Sequence, residues 1–150
     1  MKPDWILVAS AGEARLLAHE PGSPMVTLRS FHHPQSRLHS SELGDDERGR
    51  QRSDRVHGAA AFEAHVEPHR KEQLHFAHEL AVALEEGVKA GRCAHVHLVA
   101  AEPFLGLLKA ALDESTRRSL AGTHEHNFTA LGLAEIEHRV LPLVGRGPRL

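Results

Sequence analysis

The chain has 150 residues, enough for one core-forming domain and too few for two. Its composition, 41% hydrophobic and 25% charged, is globular, and no stretch approaches the roughly 18 to 20 uncharged apolar residues of a membrane-spanning helix. Eighteen basic against twenty acidic side chains leave a net charge of −2, which excludes a global electrostatic pull toward nucleic acid and makes any such contact local.

The amino-terminal segment, Met1-Lys2-Pro3-Asp4 followed by an apolar run to Ala11, imitates a signal peptide. The run is too short and an acid precedes it, so the expected compartment is the cytoplasm. Residues 4–10 (D-W-I-L-V-A-S) read as a strand buried on both faces, hence central in its sheet. Residues 15–20 and 25–32 follow as two more strands, separated by the Pro21-Gly22-Ser23-Pro24 reversal. From Pro34 to Pro68 the periodic signal nearly vanishes, and a polar loop of that length inside a compact domain is usually functional.

Helical spacing returns over 69–90, where Leu74, Ala77, Ala81, Leu84 and Val88 share a face and Gly91 supplies the stop. A strand is expected over 94–101, then a helix over 104–112 opened by Pro103. Asp113 is placed to cap a short helix over 114–120. A weak strand over 122–128, a helix over 133–141 and a frayed tail over 142–150 complete the chain. The order β-β-β-α-β-α-β-α predicts a single α/β domain, residues 1–150, whose mixed sheet has the ribonuclease-H-like succession.

Chemistry is hard to assemble from these residues. A metal-dependent nuclease needs converging carboxylates, yet the expected strands offer only Asp4, Glu13, Glu20 and Glu125. No nucleophile elbow and no phosphate-binding glycine pattern occurs, so no enzymatic activity, catalytic residue or cofactor is expected. Cys93 lies among apolar neighbours and reads as an inert buried thiol.

Fourteen histidines are the unusual item, although 14 arginines among 18 basic residues suggest a general compositional bias. His95 and His97 share one face of their expected strand, as His124 and His126 do of theirs. Were the strands neighbours, four imidazoles would converge as metal ligands, but with no His-Glu-x-x-His or cysteine pair in support the expectation is no metal. His65 and His69 are also four apart, with Pro68 set against a continuous helix between them. The arginine run is the better site: Arg48, Arg50, Arg52 and Arg55, interleaved with Gly49 and Gln51 and joined by Arg37, presents guanidinium groups suited to phosphate. Asp45, Asp46 and Glu47 beside it would neutralise an ordinary solvated loop, and no aromatic residue is interleaved for base stacking.

Taken in order, several segments resemble the bacterial proteins required for attachment to host cells. They are Trp5-Ile6-Leu7-Val8-Ala9, His33-Pro34 with Ser36-Arg37, Ser41-Glu42-Leu43 leading to Arg48-Gly49-Arg50, Phe76-Ala77-His78-Glu79-Leu80-Ala81, and Leu98-Val99-Ala100-Ala101-Glu102-Pro103-Phe104-Leu105-Gly106. The chain departs from that family at His126-Asn127-Phe128-Thr129, where Lys-Asp-Leu-Thr is frequent, and at Glu102, where proline is. The family is itself similar to the middle domain of archaeal and eukaryotic peptide-release factors, whose corresponding loop bears Gly-Gly-Gln. Here that place holds Gly49-Arg50-Gln51, and an arginine where bare backbone must approach an ester argues against termination chemistry. The resemblance implies a non-enzymatic host-attachment protein acting indirectly through a macromolecular partner, or alternatively a ribosome-associated or RNA-binding factor.

Overall fold

The computed structural model describes residues 2–33 and 58–144, with the stretch 58–68 as helical backbone only. The first strand, β1 (Asp4–Ala9), is apolar from Trp5 onward, and five of its six side chains are buried. It pairs antiparallel with β2 (Glu13–His19), which pairs antiparallel with β3 (Val26–His32). The β2–β3 reversal has Pro21 and Gly22 at its two central positions, with Gly22 at φ +84° and the Ser23 N–H donating to the Glu20 carbonyl at 3.1 Å.

Helix α1 (Gly58–Lys89) then crosses to β4 (Val96–Ala100). The helix starts eleven residues before the expected position, so the carboxyl part of the supposed polar loop 34–68 is helical and the backbone is continuous through Pro68. That corrects the expectation that Pro68 would break the helix between His65 and His69. The helix stops where expected: Gly91 adopts φ +70°, the Arg92 N–H donates to the Gly87 carbonyl at 2.9 Å and the Gly91 N–H to Val88 at 3.1 Å, a Schellman termination.

After β4 come α2 (Phe104–Ala111), α3 (Glu114–Arg118), β5 (Leu120–His124) and α4 (Leu133–Val144). The Asp113 cap forms as expected, its carboxylate accepting from the Thr116 N–H at 2.8 Å. The weak strand expected over 122–128 lies two residues earlier and ends at His124, because α3 stops at Arg118 and releases Leu120 to the sheet. The last helix continues through Pro142 to Val144, so 142–144 are not a frayed tail; 145–150 lie outside the described residues.

The result is an open five-stranded mixed sheet of order β3-β2-β1-β4-β5, with four described helices. β1 is central, as its double-sided burial predicts, and runs parallel to β4, which runs parallel to β5. Trp5, Leu7 and Ala9 point to one face and pack under Phe76, Leu80 and Leu84 of α1 and Phe104 and Leu108 of α2. Ile6 and Val8 point to the other, under Ile136, Val140 and Val144 of α4. Gly87 brings α1 flat onto the Trp5 indole, since any Cβ there would run into the ring.

Candidate functional site

β1 and β4 end side by side, Ala9 opposite Ala100, and their outgoing turns define one edge of the sheet. In open α/β sheets ligands and partners engage outside the carboxyl ends of parallel strands, where neighbouring connections diverge. Here the chain leaves β1 toward β2 on one side, and β4 lies on the other. The edge is held by a hydrogen-bonded side-chain contact between distant parts of the chain. His33 Nε2 lies 2.8 Å from Glu72 Oε1, the His33 side chain is only 13% exposed, and its ring stacks on Phe76 with centroids 5.1 Å apart. Phe76 in turn meets Phe104 of α2 at 6.0 Å. The His33 backbone N–H donates to the Gly12 carbonyl at 3.0 Å, which ties the end of β3 to the β1–β2 turn.

The other polar groups at this edge have structural work. The Ser10 hydroxyl donates to the Glu13 carbonyl at 3.3 Å and accepts from the Gly12 N–H at 3.4 Å. A Glu102 carboxylate oxygen accepts from the Gly106 N–H at 2.9 Å, satisfying a free donor in the first turn of α2. Ser10 thereby braces a turn and Glu102 caps a helix. The His33–Glu72 pair carries no local sequence signal, because 39 residues separate its members; only the His33-Pro34 motif marks the position.

The described chain ends at His33 on this edge and resumes at Gly58. Arg37, Arg48, Gly49, Arg50, Gln51, Arg52 and Arg55 all lie outside the described residues, between His33 and Gly58. Glu72 of α1 sits at the His33 edge, whereas the helix ends at the opposite one, where the Ala94 N–H donates to the Pro3 carbonyl at 2.8 Å. Residues 58–72 therefore extend from the His33 edge away from the sheet, by about 1.5 Å per residue. Both ends of the stretch 34–57 accordingly lie on the same side of the molecule.

The four candidate metal-binding histidines separate into three environments. His97 and His124 come together on the α4 face, ring centroids 5.8 Å apart. His95 precedes β4, half-exposed, with Nδ1 3.6 Å from an Asp4 carboxylate oxygen. His126 lies beyond the end of β5 and stacks on Phe128 at 4.8 Å. His97 is 3% exposed, and burial lowers its pKa from 6.5 against the opposing pull of Asp4. Burial lowers that of His124 as well, with a smaller contribution from His126. A separate groove of about 430 Å³ opens on the α1 face at the opposite edge, between Trp5, Leu28 and Gly87, with Arg29, Arg92 and Glu86 at its rim.

Fold and edge together define a mixed α/β protein in which a histidine–glutamate pair ties the end of β3 to α1. The chain belongs to the family described as "Protein required for attachment to host cells", which matches residues 5–140. No curated protein matches it. No helix among the described residues is long and apolar enough to cross a membrane.

Proposed function

We propose that this protein supports host attachment indirectly, as a non-enzymatic cytoplasmic factor acting through a macromolecular partner. The contact surface is the edge formed by the ends of β1 and β4 together with the stretch 34–57. One observation supports this assignment: His33, the last residue described before that stretch, is held to Glu72 of α1 and stacked on Phe76, so the chain enters 34–57 from this edge. Use of Ser10 in a turn and of Glu102 in a cap supports a binding rather than a catalytic edge.

A second reading is that the partner is RNA or the ribosome. The order β3-β2-β1-β4-β5, with β2 the strand antiparallel to both its neighbours, supports a ribonuclease-H-like sheet and the similarity to the release-factor middle domain. Affinity recovery from growing and starved cells after cross-linking separates the two. A protein partner recovered with the native chain and lost when Arg48, Arg50, Arg52 and Arg55 are all changed to alanine supports the first reading. Ribosome co-sedimentation, with a log-log salt slope reduced by about 0.7 to 0.9 per arginine removed, supports the second. Recovery of the same partner by native chain and fourfold variant alike would move the contact surface off this edge.

A further inference from the structure

On the α4 face two buried ring nitrogens lack any hydrogen-bond partner, His97 Nδ1 and His124 Nε2. Buried polar atoms are nearly always satisfied by protein, water or an ion, so a pair of orphans calls for an explanation. They share one neighbour. A Cβ built on Gly122 would lie 3.1 Å from His124 Nε2 and 3.6 Å from His97 Nδ1. The two nitrogens thus border one small space, open because residue 122 has no side chain.

Asp4 stands on the other side of His97. Its second carboxylate oxygen lies 3.8 Å from His97 Nε2, a contact longer than a hydrogen bond. The tautomer with its proton on Nε2 faces that carboxylate and leaves the Nδ1 lone pair toward the space beside Gly122, which is the form a metal ion there requires. A carboxylate behind an imidazole is the arrangement that orients histidine as a metal ligand. Neutral imidazole is the form that ligates.

We propose that His97 Nδ1 and His124 Nε2 bind a transition-metal ion of the zinc or copper class in the space beside Gly122, with Asp4 as the positioning residue behind His97. Imidazole nitrogen suits these ions. Among the described residues no set of three His, Cys, Asp or Glu side chains forms a metal cage, so water or a donor from a bound molecule has to complete the coordination that the two imidazoles begin. The atoms nearest the Gly122 position belong to His124 and His97, whereas His95 lies against Asp4 and His126 stacks on Phe128.

The test uses the full chain and Zn²⁺ alone, at about pH 7.5 so that histidine is neutral. Calorimetry counts the equivalents, and long-range proton–nitrogen NMR of the imidazoles shows which nitrogens the ion reaches. Surface histidines will contribute weak equivalents, so the decisive variant is Gly122→Ala, which keeps both imidazoles and fills the space between them. The tightest equivalent should disappear in Gly122→Ala and in His124→Gln, weaken about tenfold in Asp4→Asn, and survive in His95→Gln and His126→Gln. Circular dichroism checks that each variant is folded, and His124→Gln, at a partly exposed position, serves if Gly122→Ala does not fold. If the tightest equivalent persists in His124→Gln, or if Zn²⁺ leaves His97 Nδ1 and His124 Nε2 unshifted, the space holds water only and the proposal is overturned.

Discussion

The two faces of the sheet draw on alternate residues of the same strands and end up chemically different. Under α1 and α2 every inward position of β1 and β4 is apolar, from Trp5 to Ala9 and from Val96 to Ala100. Under α4 the same strands begin polar and turn apolar: Asp4 precedes Ile6 and Val8, and His97 precedes Val99. His19 stands in register with Asp4, and His124 with Val99. The stretch of α1 from Phe76 to Val88, together with α2, covers the first face, whereas the twelve residues of α4 cover the second. The lesson is that burial is shared unequally: one face supplies packing, and the other tolerates titratable groups within the same sheet.

The strongest challenge to this contrast is a charge placed on the packed face. Leu7→Asp sets an unpaired carboxylate at a 1%-exposed position of the central strand, a cost comparable to the whole stability of a small domain. No soluble folded protein should be obtained; a soluble product with native circular dichroism would show that β1 is not central.

A smaller lesion on the same face is Gly87→Ala, whose methyl group meets the Trp5 indole. Either helix or ring must move, and urea unfolding should show a loss of about 1–3 kcal/mol. An unchanged midpoint would mean that α1 does not lie flat on Trp5.

The titratable face should show itself as pH dependence. The folded pKa values of His97 and His124 lie below 6.5, so the unfolded chain binds protons first as pH falls. Stability attributable to these two groups is complete above about pH 6.5, declines below it, and levels off beneath their folded values. Denaturant midpoints measured from pH 8 to pH 5 should follow that direction; a rise in stability over the same interval would contradict it.

The smallest expected effect sharpens the assignment to one ring. His124→Gln should change stability at pH 8 by less than about 0.5–1 kcal/mol, because the position is only partly covered, and should flatten part of the acid-side decline. An undiminished decline would leave His97 as the sole contributor.

Much of this fold was legible in the residues. The run Asp4–Ala9 reads as a central strand because it is apolar in both directions, and the parallel pairing with β4 follows from the helix that must connect them. Gly91 and Asp113 mark helix boundaries by local chemistry, backbone freedom at one and a carboxylate reaching an N–H at the other. The start of α1 was not legible: Ala59-Ala60-Ala61-Phe62 after Gly58 favour a helix by propensity but mark no amphipathic stripe, and Pro68 argues locally for a break. The placement of β5 also escaped, since Leu-Ala-Gly-Thr-His has no alternation and owes its strand form to pairing with β4.

The candidate site divides along the same line. The arginine stretch and the alternating histidines are visible in the sequence because they depend on residue type and short spacing. The chain alone therefore determined which segments had to be buried, where the strongest turns and caps fell, and where cationic side chains gathered. Only the tertiary structure decided that His33 meets Glu72, that His97 and His124 part company with His95 and His126, and that a glycine on β5 opens the space between two imidazoles. These are pairings between segments far apart in the chain, set by strand order and register, and no local pattern encodes a distance between residues that only the folded sheet brings together.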